Sequence, residues 1–251
     1  MFKGFYNLTS AMLTQGRNLN VVANNLTNIS TPGYKSDDYT ASTFQEIMIS
    51  RLGNKDKSGS TEIGQESYIL ASDEIYTDFS QGIPEETGLS LDFAIEGDGF
   101  FAIQREDGTI TYTRSGGFCL DEEGYLYLAT QGRVLDVNEQ PIQLVTDKID
   151  ADDWGGIYSN GGFLGRIGVF SFEDNGELER NDQGHFLPNG QQAQAVQTPL
   201  IHWKHVERSN VDLVRMVSQM ITCQRALQSA AQVSKMYDQL MTKATTDIGR
   251  L

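Results

Sequence analysis

Phe5-Tyr6-Asn7-Leu8-Thr9-Ser10-Ala11-Met12-Leu13-Thr14-Gln15-Gly16-Arg17-Asn18-Leu19-Asn20-Val21-Val22-Ala23-Asn24-Asn25-Leu26 is the stretch from which the fold is read. Within it Phe5, Leu8, Met12, Gln15, Leu19, Val22 and Leu26 recur at alternating spacings of three and four, with only Gln15 polar. That spacing keeps one face of a 3.6-residue helix apolar, so the segment reads as an amphipathic helix with a packing seam. The helix is expected to end near Ser30, because Pro32 biases the residue before it away from helix and Gly33 follows as a turn residue.

The same pattern returns, longer, at the other end of the chain. Leu213, Met216, Met220, Cys223, Leu227, Ala230, Ser234, Tyr237 and Met241 alternate three and four, with only Ser234 polar. Ser209 stands where an N-cap belongs, Asp212 falls in the expected first turn, and Lys235 and Lys243 fall late, in accord with the helix dipole. A helix from Asn210 to about Thr245 would be roughly 50 Å long.

Between the two seams the period changes to that of strands. Phe93 to Ile95, Phe100 to Ile103, Ile110 to Thr113, Tyr125 to Leu128 and Ile167 to Phe172 are rich in aromatic and β-branched residues. Asp107-Gly108, Glu123-Gly124, Asn175-Gly176 and Asn189-Gly190 punctuate them as turns. Strands this closely spaced, with no helical stretch between them, predict antiparallel pairing. Gly97-Asp98-Gly99 reads as a bend allowing close backbone approach, with Phe100, Phe101 and Tyr112 in the sheet core and Gly116 at a further turn. Ser36 to Gly88 is polar, with a loop-like Gly53 to Gly59 and possible strands near Tyr68 to Leu70 and Glu74 to Phe79.

The fold class is therefore α+β: a central antiparallel all-β domain, sandwich- or barrel-like, flanked by N- and C-terminal coiled-coil-type helices. The expected segments are 1–35, helix and signature turn; 36–88, linker and first strands; 89–205, central β domain; and 206–251, C-terminal helix.

Composition narrows the function. The chain has 251 residues, 39% of them hydrophobic, enough for a real core. No run of 18 apolar residues occurs, and Met1 to Ser10 lacks the basic and apolar regions of a cleaved signal peptide, so no membrane insertion is expected. The formal charge of −15 argues against a nucleic-acid partner. That charge is uneven: Met1 to Ser36 and Trp203 to Leu251 each carry +3, which leaves −21 between them. Cys119 and Cys223 are too few for a disulfide framework and are read as free packing residues.

Chemistry finds little purchase. No G-x-S-x-G, H-E-x-x-H or G-x-x-x-x-G-K-[ST] pattern occurs, so no catalytic residue is assigned and no enzyme is expected. His202 and His205 have a spacing that would suit one helical face, but His185 is remote and no cysteine pair joins them. Asp147, Asp150, Asp152 and Asp153 lack the glycine and closing glutamate of a calcium loop, and Glu122 and Glu123 sit at a hairpin tip. No metal or cofactor is expected.

Two heptad helices at opposite ends of one chain either pair with each other or are filled by neighbouring copies. A resemblance decides between these. Ala23-Asn24-Asn25-Leu26-Thr27-Asn28-Ile29-Ser30-Thr31-Pro32-Gly33-Tyr34-Lys35 resembles the N-terminal signature of bacterial flagellar rod and hook proteins. Leu91-Asp92-Phe93-Ala94-Ile95-Glu96-Gly97-Asp98-Gly99-Phe100-Phe101 and Tyr112-Thr113-Arg114-Ser115-Gly116-Gly117-Phe118 are similar to two central elements of that family. Glu207-Arg208-Ser209-Asn210-Val211-Asp212, leading into the last helix with Arg225 inside it, resembles its closing motif. Gly117 stands where the family more often has Asn, and Ala226-Leu227 follows Arg225 where an aromatic is commoner two positions on.

The resemblance implies a structural subunit of the flagellar basal-body rod, exported by the flagellar type III apparatus without a cleaved signal. Its terminal helices would polymerise into a torque-transmitting axial shaft in the cell envelope, with the β domain outward. Its partners would be further copies and other rod and hook proteins. The interface residues expected are Phe5, Leu8, Met12, Leu19, Val22, Asn24, Asn25, Leu26, Asn28, Ser209, Asn210, Leu213, Met216, Met220, Leu227, Tyr237 and Met241. Asn24, Asn25 and Asn28 would either satisfy carbonyls at the helix end or bond a neighbouring subunit. The rival reading is a secreted β-domain surface-binding module oligomerised by its helices; a rod-associated peptidoglycan hydrolase is a third.

Overall fold

The computed structural model describes residues 2–43, 47–51, 61–66, 70–129, 131–144, 146–181 and 183–249. They form two units: residues 1–26, 37–76 and 212–251 make a helical unit, and residues 27–36 and 77–211 a β unit. The β unit carries twenty-three acids against nine bases, a net −14 of the chain's −15.

The helical unit is built on α1 (Phe2–Thr27) and α2 (Leu213–Ile248). Most of each seam is at least half-buried within the chain, Phe5 and Leu213 being exposed, so much of the surface expected to be filled by neighbouring copies already packs internally. Val22, Met216 and Cys223 are buried, and Leu8, Met12, Leu19, Leu26, Met220, Leu227, Tyr237 and Met241 are half-buried. Two close approaches give the sense of the pairing. A Cβ on Gly4 would lie 2.5 Å from the Tyr237 hydroxyl, and Asn25 Nδ2 lies 3.6 Å from Met216 Sδ. These contacts are twenty-one residues apart on each helix and run in opposite directions, so α1 and α2 lie antiparallel over about 32 Å. Small Gly4 is what lets the tyrosine ring in. The strand Asp37–Thr43 pairs with Leu70–Thr77, and Ile47–Arg51 with Thr61–Glu66. The latter part of the Glu74 to Phe79 expectation falls past this strand's end at Thr77; Gly53 to Gly59 and Tyr68 lie outside the described residues.

α2 starts three residues later than the sequence suggests. Its N-cap is Asp212, whose Oδ1 accepts from the Val214 and Arg215 amides at 2.9 and 3.2 Å. Ser209 is not the cap, because Asn210 is engaged elsewhere. Its Oδ1 accepts from Ser36 N at 2.7 Å and its Nδ2 donates to Asp78 O at 2.8 Å, holding that stretch out of helix. Asp212→Ala should therefore lower helical-unit stability by about 1 kcal/mol and fray the first turn of α2, whereas Ser209→Ala should leave both unchanged; thermal unfolding by circular dichroism reads the difference.

The β unit is organised about the strand Phe100–Gln104. It pairs antiparallel with Ile110–Thr113 on one edge; on the other, its two halves pair with Val169–Ser171 and Gly132–Val134. Further strands extend this sheet to nine. The strand alternates between two apolar clusters: Phe101 and Ile103 join Phe93, Ile95, Leu126 and Ile157, while Phe100 and Ala102 join Tyr112, Phe170 and Phe186. A strand covered on both faces reads as a continuous apolar run, as Phe100 to Ile103 does. Gly97 and Gly99 take positive φ at the bend before it, and the Gly116 carbonyl accepts from Phe93 N.

Several smaller expectations are corrected. Cys119 is exposed at a strand end, so only Cys223 packs as expected; burial pushes its thiol up. His202 and His205 lie on the strands Leu200–Trp203 and His205–Glu207, not on a helix, and His202 meets Glu96 at 2.7 Å. Asn175-Gly176 begins a short 3-10 turn capped by Asp174.

Candidate functional site

Three of the sequence blocks quoted above, far apart in the chain, meet inside the β unit. The turn after α1 is closed by Thr31 N donating to Asn28 O, and Gly33 then takes φ +69, which a Cβ disfavours. From there Gly33 N donates 2.7 Å to the Glu207 carbonyl. A Cβ on Gly33 would sit 2.2 Å from Ser115 N, so the first block lies directly against the backbone of the third. Tyr34 is buried under the Arg180 guanidinium, 4.7 Å from its ring centroid, and Arg180 donates 2.6 Å to the Lys35 carbonyl.

Lys35 is the centre of the junction. It is 1% exposed, and its Nζ donates to Glu207 Oε1 at 2.6 Å and to Ser80 O at 2.7 Å. Glu207 is as buried; its Oε1 also accepts from Gly82 N at 2.8 Å. Arg114 completes the cluster, donating to Gly97 O at 2.6 Å and approaching Glu207 Oε2 at 3.4 Å. Two cations thus share one carboxylate away from water. Burial pushes the Lys35 ammonium below its ordinary value, against the pull of Glu207, and pushes Arg114 down against Glu207 and Asp98. Arg114 Nε has no hydrogen-bond partner among the described residues, and Glu207 is the carboxylate that pairs directly with both cations. Nothing in this arrangement offers a nucleophile beside a base; it is a fastening.

The expected interface residues divide. Phe5 and Leu213 are exposed, as is Asn24; Asn28, Ser209 and Asn210 are half-buried. Asn25 is wholly buried: its Nδ2 donates to Asp37 O at 2.7 Å and its Oδ1 accepts from Asp37 N at 3.0 Å, tying α1 to the first strand. Sequence reasoning missed two sets. Lys35, Arg114 and Glu207 each sit in a quoted block, but nothing in their spacing joins them. On α2, Val214, Val217 and Ile221 are exposed one position after seam residues, and Val233, Met236 and Leu240 one position before. They flank the seam on opposite sides, and the heptad pattern alone gives no reason to look there.

The comparisons with known proteins agree along the chain. Residues 5–35 match the model for flagella basal body rod protein, residues 94–153 that for the flagellar hook protein FlgE/F/G D1 domain, and residues 204–247 that for the flagellar basal body rod FlgEFG protein C-terminal region. The chain is 31% identical to the flagellar hook-basal body complex protein FlhO of Bacillus subtilis, over all of both chains. It is 30% identical to the flagellar basal-body rod protein FlgG of the same organism, over 96% of this chain and 97% of the relative. It is also 30% identical to the flagellar basal-body rod protein FlgF of Mesorhizobium japonicum, over 92% and 91%. Glu207 and its partners thus join the family's N-terminal, central and C-terminal regions, and the chain belongs to the flagellar basal-body rod protein family as a structural subunit of the rod.

Proposed function

We propose that this subunit polymerises through its terminal helices into the axial shaft that transmits torque, with its acidic β unit outward. The observation that carries this is α2: with its seam turned toward α1, it still exposes Val214, Val217 and Ile221 on one flank and Val233, Met236 and Leu240 on the other. Two different apolar flanks suit two different neighbours, and heterologous contacts of that kind build open helical polymers. The seam residues from Phe5 to Leu26 and Leu213 to Met241 act as a coiled-coil-type pair that presents those flanks. Apolar clusters on both faces of the central strand support a closed, sandwich- or barrel-like β domain. Its partners are other copies and other axial proteins, reached by type III export, and it performs no catalysis. No described helix is long and apolar enough to cross a membrane.

Met220→Asp and Leu227→Asp, which strike the seam, and Val217→Asp and Leu240→Asp, which strike the flanks, test this. Each should reduce the chain retained in purified hook–basal bodies at least tenfold and abolish swimming, with the β unit still folded. Wild-type retention in all four would sink the assignment. Recovery of the wild-type chain from the medium, and none from basal bodies, would favour a secreted binding module.

A further inference from the structure

The final strands of the β unit are placed so that the unit cannot finish without them. Phe93–Glu96 is a core strand: Phe93, Ala94 and Ile95 are all within 2% of complete burial. Its one ladder partner among the described strands is Leu200–Trp203, more than a hundred residues later, with Ile201 opposite Ile95 and Trp203 opposite Phe93. The following His205–Glu207 pairs antiparallel with Pro84–Glu86. Between these pairings Lys204 N donates to Asp92 O, and Trp203 Nε1 donates to Ser90 O at 2.8 Å. The segment ends at Glu207, whose carboxylate faces Lys35 and Arg114 and whose carbonyl takes the Gly33 amide.

Remove residues 200–207 and the remainder of the unit holds two buried cations without the carboxylate they share, a core strand without its ladder partner and an unfastened first turn. Buried polar backbone and buried charge are both costly when unpartnered. We infer that Leu200–Glu207 is a strap that closes the β unit last, with Glu207 as its latch, so that the core around Phe93–Glu96 stays unformed until the strap is delivered. For a chain that emerges N-terminus first, this keeps the β unit open until Glu207 has emerged. The strap follows from contacts inside the β unit alone, independently of how copies assemble.

The test uses the full chain, unfolded in urea and refolded by rapid dilution. Pulsed hydrogen–deuterium exchange with mass spectrometry follows peptides covering residues 93–96, 110–113 and 201–207. Residues 93–96 are expected to gain protection in the same kinetic phase as residues 201–207, while residues 110–113, whose hairpin with Phe100–Gln104 is local, become protected earlier. Glu207→Gln, which keeps the shape and loses the charge, should slow the shared phase at least tenfold and leave the hairpin phase unchanged. Protection of residues 93–96 ahead of residues 201–207 in the wild-type chain would overturn the strap, and it is readable even where the variant fails to fold.

Discussion

Glu207→Ala is expected to lower the unfolding free energy of the β unit by about 3–5 kcal/mol. The size follows from what the substitution leaves behind. Lys35 and Arg114, 1% and 3% exposed, lose their shared carboxylate, and Gly82 N loses its acceptor. A domain of this kind has about 5–15 kcal/mol in total, so roughly a fifth or more is at stake. Urea unfolding followed by tryptophan fluorescence measures it cleanly, because the two tryptophans, Trp154 and Trp203, both lie in the β unit. Lys35→Met combined with Glu207→Ala should cost clearly less than the two single changes added together, since the first removes one of the stranded charges. Strict additivity would mean that the 2.6 Å pair is not a coupled one.

Gly33→Ala is the second large effect, about 2–5 kcal/mol by the same measurement. Two separate costs contribute. At φ +69 a Cβ is disfavoured by about 1–2 kcal/mol. The Cβ would also lie 2.2 Å from Ser115 N and 2.3 Å from the Arg114 carbonyl carbon, backbone atoms that cannot rotate away, and overpacking of that kind costs about 1–3 kcal/mol. Gly88 separates the two. Its φ is +74, but nothing lies within 4 Å of its Cβ position, so Gly88→Ala should show the conformational cost alone. Equal losses at both sites would contradict the close approach of the signature turn to Ser115.

Much of the fold was legible because it is written in local periodicity. The seams of α1 and α2 are spaced for helix, and Phe100 to Ile103 is as apolar as a strand covered on both faces must be. Where reading failed, a distant contact had overridden a local preference. Ser209 and Asn210 have the chemistry of a helix start, yet Asn210 is bonded to Ser36 and Asp78, so the helix waits for Asp212. Asp37–Thr43 is too polar to announce itself as a strand, and the Asn25 amide that ties it to α1 is visible only once both are placed. The Lys35–Glu207–Arg114 cluster is the extreme case: its charges are complementary, but chain spacing gives no hint that positions 35, 114 and 207 meet.

The concentration of −14 in the β unit has a consequence for the assembled state. A polymer of this subunit is a polyelectrolyte, whose charge per unit length grows with every copy added. Each incoming β unit does electrostatic work against those already present, over a screening distance of about 8 Å at physiological ionic strength. Counterions condensed around the acidic units offset that work, so in the assembly proposed above the apolar flanks of α2 would set where a copy adds while the ionic medium sets how readily it does so.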